Sequence, residues 1–253
     1  MSRGTWIGLL SVLVVLAAWE GLVAFGILNP IIASSPSRIA VAAARLAGDP
    51  GFAQHVWTSA TEFFVGYIAA SILGVGLGLL AGWYRRLGQA LDPVMTIFYV
   101  TPRVALLPVL VLWFGLGPAA TTVAVFLGAF FMVFLTTMAG VRTVDPHLVR
   151  TARSFMAKDR TVFKAIVIPA TIPFIITGLR LGVGRALIGV VIGELFAASS
   201  GLGYMIHVTG STLQIDQMFV AVLLIAATGL VAAGVLSVAE RRIDHWRPRA
   251  REV

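Results

Sequence analysis

Apolar runs of membrane-crossing length recur from one end of this chain to the other. They occupy residues 6–25, 61–83, 94–114, 119–141, 171–197 and 217–239, and about 20 residues of helix cross the ~30 Å hydrocarbon core of a bilayer. Hydrophobic residues make up 58% of the chain and charged residues 12%, against about 45–50% and about 25% in soluble domains. The pattern predicts an all-α, polytopic membrane protein of about six transmembrane helices, built as a single domain over residues 1–253.

The placement of cations orients those helices. Of the 19 Lys and Arg, fourteen fall in segments that share one side if the N-terminus is cytoplasmic. These are Arg3, the pair Arg85 and Arg86, the group from Arg142 to Lys164, and the group from Arg241 to Arg251. Only Arg38 and Arg45 fall in the opposite loops, so the positive-inside rule puts both termini in the cytoplasm. The net charge of +8 is thus a topology signal and not a nucleic-acid footprint. The first run follows Arg3 as a signal peptide would, but no small-x-small cleavage site follows it, and it is read as a retained span.

Caps and breakers mark the elements. Asp92-Pro93 and Gly117-Pro118 precede the third and fourth spans, and Pro173 opens the fifth. Ser35-Pro36 starts and the Gly48 to Gly51 stretch stops a short outer surface helix near 36–47, with Ile39, Ala42, Ala43 and Leu46 on one face. SSGLGYMI reads as a turn and a short outer helix. Pro102 and Pro108 bend the third span, and broken helices line polar routes in transporters.

Small residues let membrane helices approach closely, because lipid supplies no hydrophobic drive between them. Gly74, Gly78 and Gly82 repeat every four residues in the second span, and Gly178, Gly182, Gly189 and Gly193 form a second stripe in the fifth. They predict a tightly packed core or a dimer seam, with Arg185 on the second stripe and Arg180 and Glu194 on the opposite face. The same reasoning makes GVGLG a packing element and not a nucleotide loop. Ionisable groups inside a span cost about 2.5–3.5 kcal/mol each at the centre on insertion scales. Glu20, Glu62 and Arg180 are read as near-interface groups that snorkel. Arg185 and Glu194 are candidates either for the translocation path, with Pro102 and Arg103, or for structural pairing.

No engine for chemistry is present. The chain has no cysteine, no GxxxxGK[ST] phosphate loop, no GxSxG elbow and no HExxH, and its four histidines are scattered. Catalytic residues, metal ligands and cofactors of its own are therefore not expected. A membrane-bound enzyme would need a clustered nucleophile or metal. A gradient-driven secondary transporter, the alternative reading, would show internal repeats or a pair of buried acids for proton coupling, and neither is apparent.

The cytoplasmic segment 142–170 stands apart. Asp145-Pro146 starts a helix on which Val149, Ala152, Phe155 and Met156 share a face, surrounded by Arg150, Arg153, Lys158, Arg160 and Lys164 with one acid, Asp159. Such a short helix is marginal alone and needs something to pack against. An apolar knob ringed by cations suits a groove on an acidic or polar partner, or else an anionic lipid surface.

This segment resembles the coupling loop of ABC importer permeases. Ile166, Val167, Ile168 and Pro169 fit its closing element and Ala152 its second alanine, while Arg150, Thr151 and Met156 stand where Glu, Ala and Gly are usual. TPRVALLPVLVLWFGLGP, LTTMAGVRTVDP and GLRLGVGRALIGVVIGELFAASSGLGYMI are similar to the permeases of nitrate, sulfonate and taurine importers, and to those for thiamine precursors and some aromatic acids. The likeness runs over residues 35–203. It implies a type I importer in the cytoplasmic (inner) membrane of a prokaryote. Its parts would be a second permease copy or paralogue, two cytoplasmic ABC ATPases that bind ATP and Mg, and an external, periplasmic binding protein. The implied ATPase contacts are Arg150, Thr151, Ala152, Arg153, Ser154, Phe155, Met156, Ala157, Lys158 and Asp159, with Pro169 closing the motif. Met in place of Gly implies either a continuous helix through position 156 or a modified turn.

Overall fold

The computed structural model describes residues 3–243, without the side chains of residues 3–5, 9, 103, 239 and 241–243. The expectations resting on Arg247, Arg249 and Arg251, and on the side chains of Arg3, Arg103, Arg241 and Arg242, lie outside it. Among the described residues every regular element is helical: α1 (Arg3–Ala24), α2 (Pro30–Ala33), α3 (Pro36–Leu46), α4 (Pro50–Trp83), α5 (Arg85–Val100), α6 (Leu107–Phe114), α7 (Pro118–Arg142), α8 (Pro146–Ser154), α9 (Asp159–Val162), α10 (Ile168–Ala197), α11 (Leu202–Ser211) and α12 (Ile215–Ile243). Five helices are long and apolar enough to cross a membrane, and six spans result if α5 and α6 count as one.

Three expected boundaries move, each for a local reason. The Gly48 to Gly51 stretch follows the end of α3 at Leu46 as expected, but Asp49-Pro50 is also a start: the Asp49 carboxylate accepts the Gly51 N–H at 3.0 Å and Pro50 takes the first helical position, so α4 begins well before residue 61. The fifth span does not open at Pro173, which lies inside α10. A π-helical turn over Phe163–Val167 joins α9 to α10, and a 39-residue apolar helix results. The third span is not one straight helix, since α5 and α6 meet at 90° across Thr101, Pro102 and a 3₁₀ turn (Arg103–Leu106). The helix expected near 36–47 is α3, but Ser35 leaves the cap unmade and gives its hydroxyl to Glu20 at 3.2 Å. Glu20 also takes the Ser37 N–H at 2.9 Å, which ties α1 to α3. Arg38 and Ser34 both reach Asp216, at 2.9 and 2.7 Å, which ties α3 to α12.

α7 is the axis of the fold. The glycines of α4 lie on one side of it: a Cβ at Gly66 would stand 2.8 Å from Val125, at Gly74 3.0 Å from Val133, and at Gly78 2.8 Å from both Thr137 and the Phe134 carbonyl. Gly82 meets Val141 in the same way. The glycines of α10 lie on the other side: Gly178 against Thr136, Gly182 against Val133, Gly189 against Val125 and Gly193 against Thr121. Both stripes therefore build the core and neither is left for a dimer seam. Val125, Ala129, Val133 and Phe134, between them, have no exposed surface.

This packing separates two glycines that the sequence presents as equals. At Gly76 nothing lies within 4 Å of an added Cβ, whereas Gly78 is closed by backbone and side chain. Gly78→Leu is expected to cost at least about 1–3 kcal/mol through overpacking. Gly76→Ala is expected to be neutral or stabilising by about 0.5–1 kcal/mol, because it only raises helix propensity. Thermal unfolding of the purified variants in detergent reads both.

Candidate functional site: translocation path and coupling surface

The broken span and α10 enclose a cavity of about 360 Å³. At the break Pro102 has no N–H to give and the Thr101 hydroxyl turns back to the Ile97 carbonyl at 2.8 Å, so the helix ends and the chain bends over the cavity. Tyr99 and Leu107 wall one side, Gly128 of α7 the floor, and Arg185, Ile188 and Ile192 of α10 the other side. Pro102 and Arg185, two of the path candidates, thus line one space, while the Arg103 side chain lies outside the described residues. Among the described lining residues none is acidic, so no carboxylate there balances the Arg185 charge. Lipid would penalise such an arginine by several kcal/mol at mid-membrane (about 2.5–3.5 on insertion scales). This face of α10 therefore belongs to a wet route or a subunit contact.

Arg185 sits at the edge of the glycine stripe and not within it, since Gly182 and Gly189 pack on α7 while Arg185 is exposed. Glu194 comes about two and a half helical turns after Arg185, which puts it on the opposite side of α10. It is fully buried and does not line this cavity, which favours structural pairing, the other reading that the sequence leaves open for it. Its Oε1 accepts from the Ser59 hydroxyl and its Oε2 from the Gly203 N–H, each at 2.6 Å. Arg180 pairs with Glu240 of α12 at 3.0 Å.

Glu62 does not snorkel. It is 2% exposed and its carboxyl lies against that of Glu194. A pair of buried acids therefore exists where the sequence reading saw none. The residues lie far apart in the chain and only the register of α4 and α10 on α7 brings them together. One signal was available: Glu62 is four residues before Gly66 and in phase with Gly74, Gly78 and Gly82, on the face that enters the core.

Between α7 and α10, α8 begins as its Asp145-Pro146 start requires, with the Asp145 carboxylate on the His147 N–H at 2.7 Å. The expected common face divides: Val149 and Ala152 are half-buried, whereas Phe155 is 82% and Met156 93% exposed. Position 156 is a turn and not a continuing helix. Met156 has φ 59°, its N–H bonds the Arg153 carbonyl at 2.9 Å, and the Ala157 N–H bonds the Ala152 carbonyl at 3.2 Å. This is a Schellman closure with methionine at the position glycine normally fills, held against roughly 1–2 kcal/mol of steric cost. Arg153 braces it by pairing with Asp159 at 3.0 Å and lying 6.0 Å over the Trp83 ring at the base of α4. Arg153 and Asp159 therefore position the loop, and Arg150, Lys158, Arg160 and Lys164 remain exposed around its tip. Ser154 closes locally on the Thr151 carbonyl at 2.7 Å, and Pro169 sits exposed in the first turn of α10.

Comparison with known proteins gives the family. The profile of the binding-protein-dependent transport system inner membrane component matches residues 74–245. The putative aliphatic sulfonates transport permease protein SsuC of Bacillus subtilis (strain 168) is 30% identical over 95% of this chain and 87% of its own length. The taurine transport system permease protein TauC of Escherichia coli (strain K12) is 28% identical over 97% of this chain and 91% of its own. Among solved structures, a chain of the inward-facing MetNI methionine ABC transporter superposes with a TM-score of 0.66 at 16% identity, covering 76% of this chain and 95% of that one. The six-span helical plan, the glycine-packed core and a match over most of its length agree: the chain belongs to the binding-protein-dependent transport system inner membrane components, the permease subunits of ABC importers.

Proposed function

We propose that this permease carries a small organic anion of the sulfonate or taurine type through the Arg185 cavity, taking it from an external binding protein and using ATP hydrolysed by separate cytoplasmic subunits. The observation that carries the substrate class is the uncompensated Arg185 in a largely apolar, 360 Å³ space. An anion with a short apolar body complements that space, and a cationic thiamine precursor would be repelled from it. The names of the sulfonate and taurine relatives support the same class.

The motor would dock on the α8–α9 tip. Phe155 and Met156 are large, apolar and almost fully exposed, and the left-handed Met156 closes the end of α8 at a steric cost that glycine would not carry. Seating both side chains in an apolar pocket of an ATPase offsets that cost, and the exposed cations fit an acidic rim on the same partner. A second permease, identical or paralogous, would close the Arg185 face of α10, and the assembly would sit in the cytoplasmic (inner) membrane of a prokaryote. ATP and Mg would bind in the ATPase subunits, and this chain performs no chemistry itself.

Two outcomes are expected. Arg185→Gln should lower uptake of the anionic substrate about 10–100-fold in proteoliposomes holding the whole complex, as loss of a charge-assisted contact implies, and Arg185→Glu should abolish it; undiminished uptake by both variants removes Arg185 from the path. Met156→Gly should relax the turn while weakening co-purification of the ATPase at least about 10-fold, and Phe155→Ala should weaken it without relaxing anything. Unchanged ATPase recovery in both would place the motor elsewhere.

A further inference from the structure

The outer third of the fold is held by side chains where backbone partners are missing. Three successive amides at the start of α11 are unsatisfied by their own helix, and three side chains from neighbouring spans take them. His55 Nδ1 accepts the Gly201 N–H at 3.0 Å, Ser59 Oγ the Leu202 N–H at 2.7 Å and Glu194 Oε2 the Gly203 N–H at 2.6 Å. Ser59 then donates to Glu194 Oε1 at 2.6 Å. Gly201, at φ 116°, and Gly203 lack the Cβ atoms that would collide with the Glu194 carboxyl.

Glu194 thus accepts two hydrogen bonds with lone pairs to spare, and Glu62 has no donor among the described residues. Gly66 on Val125, Gly74 on Val133 and Gly78 on Thr137 keep a constant offset of 59 residues between α4 and α7, which sets Glu62 level with Thr121. Gly193 packs on that same Thr121, so Glu62, Thr121 and Glu194 converge where the three helices meet. Both Glu62 oxygens and the Thr121 hydroxyl are buried there without a hydrogen-bond partner. Two ionised carboxylates in contact would repel each other in a medium that barely screens them. No described cation reaches them: Arg180 is held by Glu240, and Arg185 faces the cavity on the far side of α10. Among the described residues no group of three metal-binding side chains forms, and neither glutamate lines a cavity that would admit a hydrated ion.

We propose that Glu62 and Glu194 share one proton, carried by Glu62 and donated to Glu194, and that this pair is a positioning element that fixes α11 and the outer ends of α4 and α10 as one block. The proton stays within the O–H···O contact and no bond is broken in the transport cycle. Being sealed from the cavity, it is a structural proton and not a transported one, which separates this site from the acids of a proton-driven carrier.

The test uses the full chain in its purified complex, with Glu62→Gln, Glu62→Ala and Glu194→Gln. Infrared spectroscopy should show a protonated-carboxyl band in the parent that Glu62→Gln removes. Glu62→Gln, whose amide still donates, should unfold within about 2 °C of the parent and keep ATP-driven uptake, while Glu62→Ala and Glu194→Gln should unfold about 4–8 °C lower. Should Glu194→Gln fail to accumulate, Ser59→Ala should give the same sign with about half the shift. A band that persists in Glu62→Gln, equal destabilisation by Glu62→Gln and Glu62→Ala, or a parent Tm raised by Na⁺ only when Glu62 is present would overturn the shared proton. Parent-like Tm without uptake in Glu62→Gln would overturn its static character. The infrared and unfolding readouts need no transport, so their failure leaves the permease reading standing.

Discussion

Close approach of three helix backbones around α7 is the interaction on which the rest of this molecule stands. In lipid, two apolar helices gain nothing by hiding from solvent, so their contact must come from dispersion between surfaces that fit. Glycines on α4 and α10 supply that fit by letting Val125, Val133, Thr121 and Thr137 of α7 press onto bare backbone. Because the fit is steric and repeats along the whole length of α7, it fixes register as well as distance. Register is what places Glu62 beside Glu194 and leaves Arg185 at the edge of the stripe, facing open space. The polar features of the membrane domain are consequences of where the small residues lie.

The α8–α9 tip follows a different logic. Its local geometry is complete without help: an Asp145 start, a Schellman stop and an Arg153–Asp159 brace anchored on Trp83. What is incomplete is the surface. Phe155 and Met156 extend from a rigid turn with almost no contact of their own, and one of them occupies a backbone region that disfavours any side chain. In the proposed docking, a knob braced by these hydrogen bonds and this ion pair would transmit the motion of whatever grips it, whereas an unbraced one would absorb it.

Much of this was legible in the sequence because its signals are local. Apolar length marks the spans, four-residue glycine spacing the packing faces, Asp145-Pro146 the start of α8, and charge contrast the segment between α7 and α10. Asp49-Pro50 shows the limit of that reading: the stretch is read as a stop alone, whereas the Asp49 side chain also caps the helix that follows. Met156 was read as open between a helix and a turn, since residue preference argues against φ above zero and only the surrounding hydrogen bonds can impose it. The buried acid pair was missed because it depends on two helices being set at one height by a third. A periodicity search carried out on one segment at a time has no access to that, although Glu62 lay in phase with the glycines throughout.

α10 shows how one helix carries opposite electrostatic tasks. Arg185 on one side is left uncompensated and open to a cavity, and such a charge attracts counter-charge strongly because the walls around it are apolar. Glu194 on the other side is fully buried, hydrogen-bonded by Ser59 and Gly203, and removed from the route. Were both charges on one face they would neutralise each other and the cavity would offer an anion nothing. Separating them by half a turn keeps the field of the arginine intact while the acid stiffens the helix that presents it. In the proposed transport of an anion, the segregation of sign around α10, and not the number of buried charges, would favour negative cargo in the cavity.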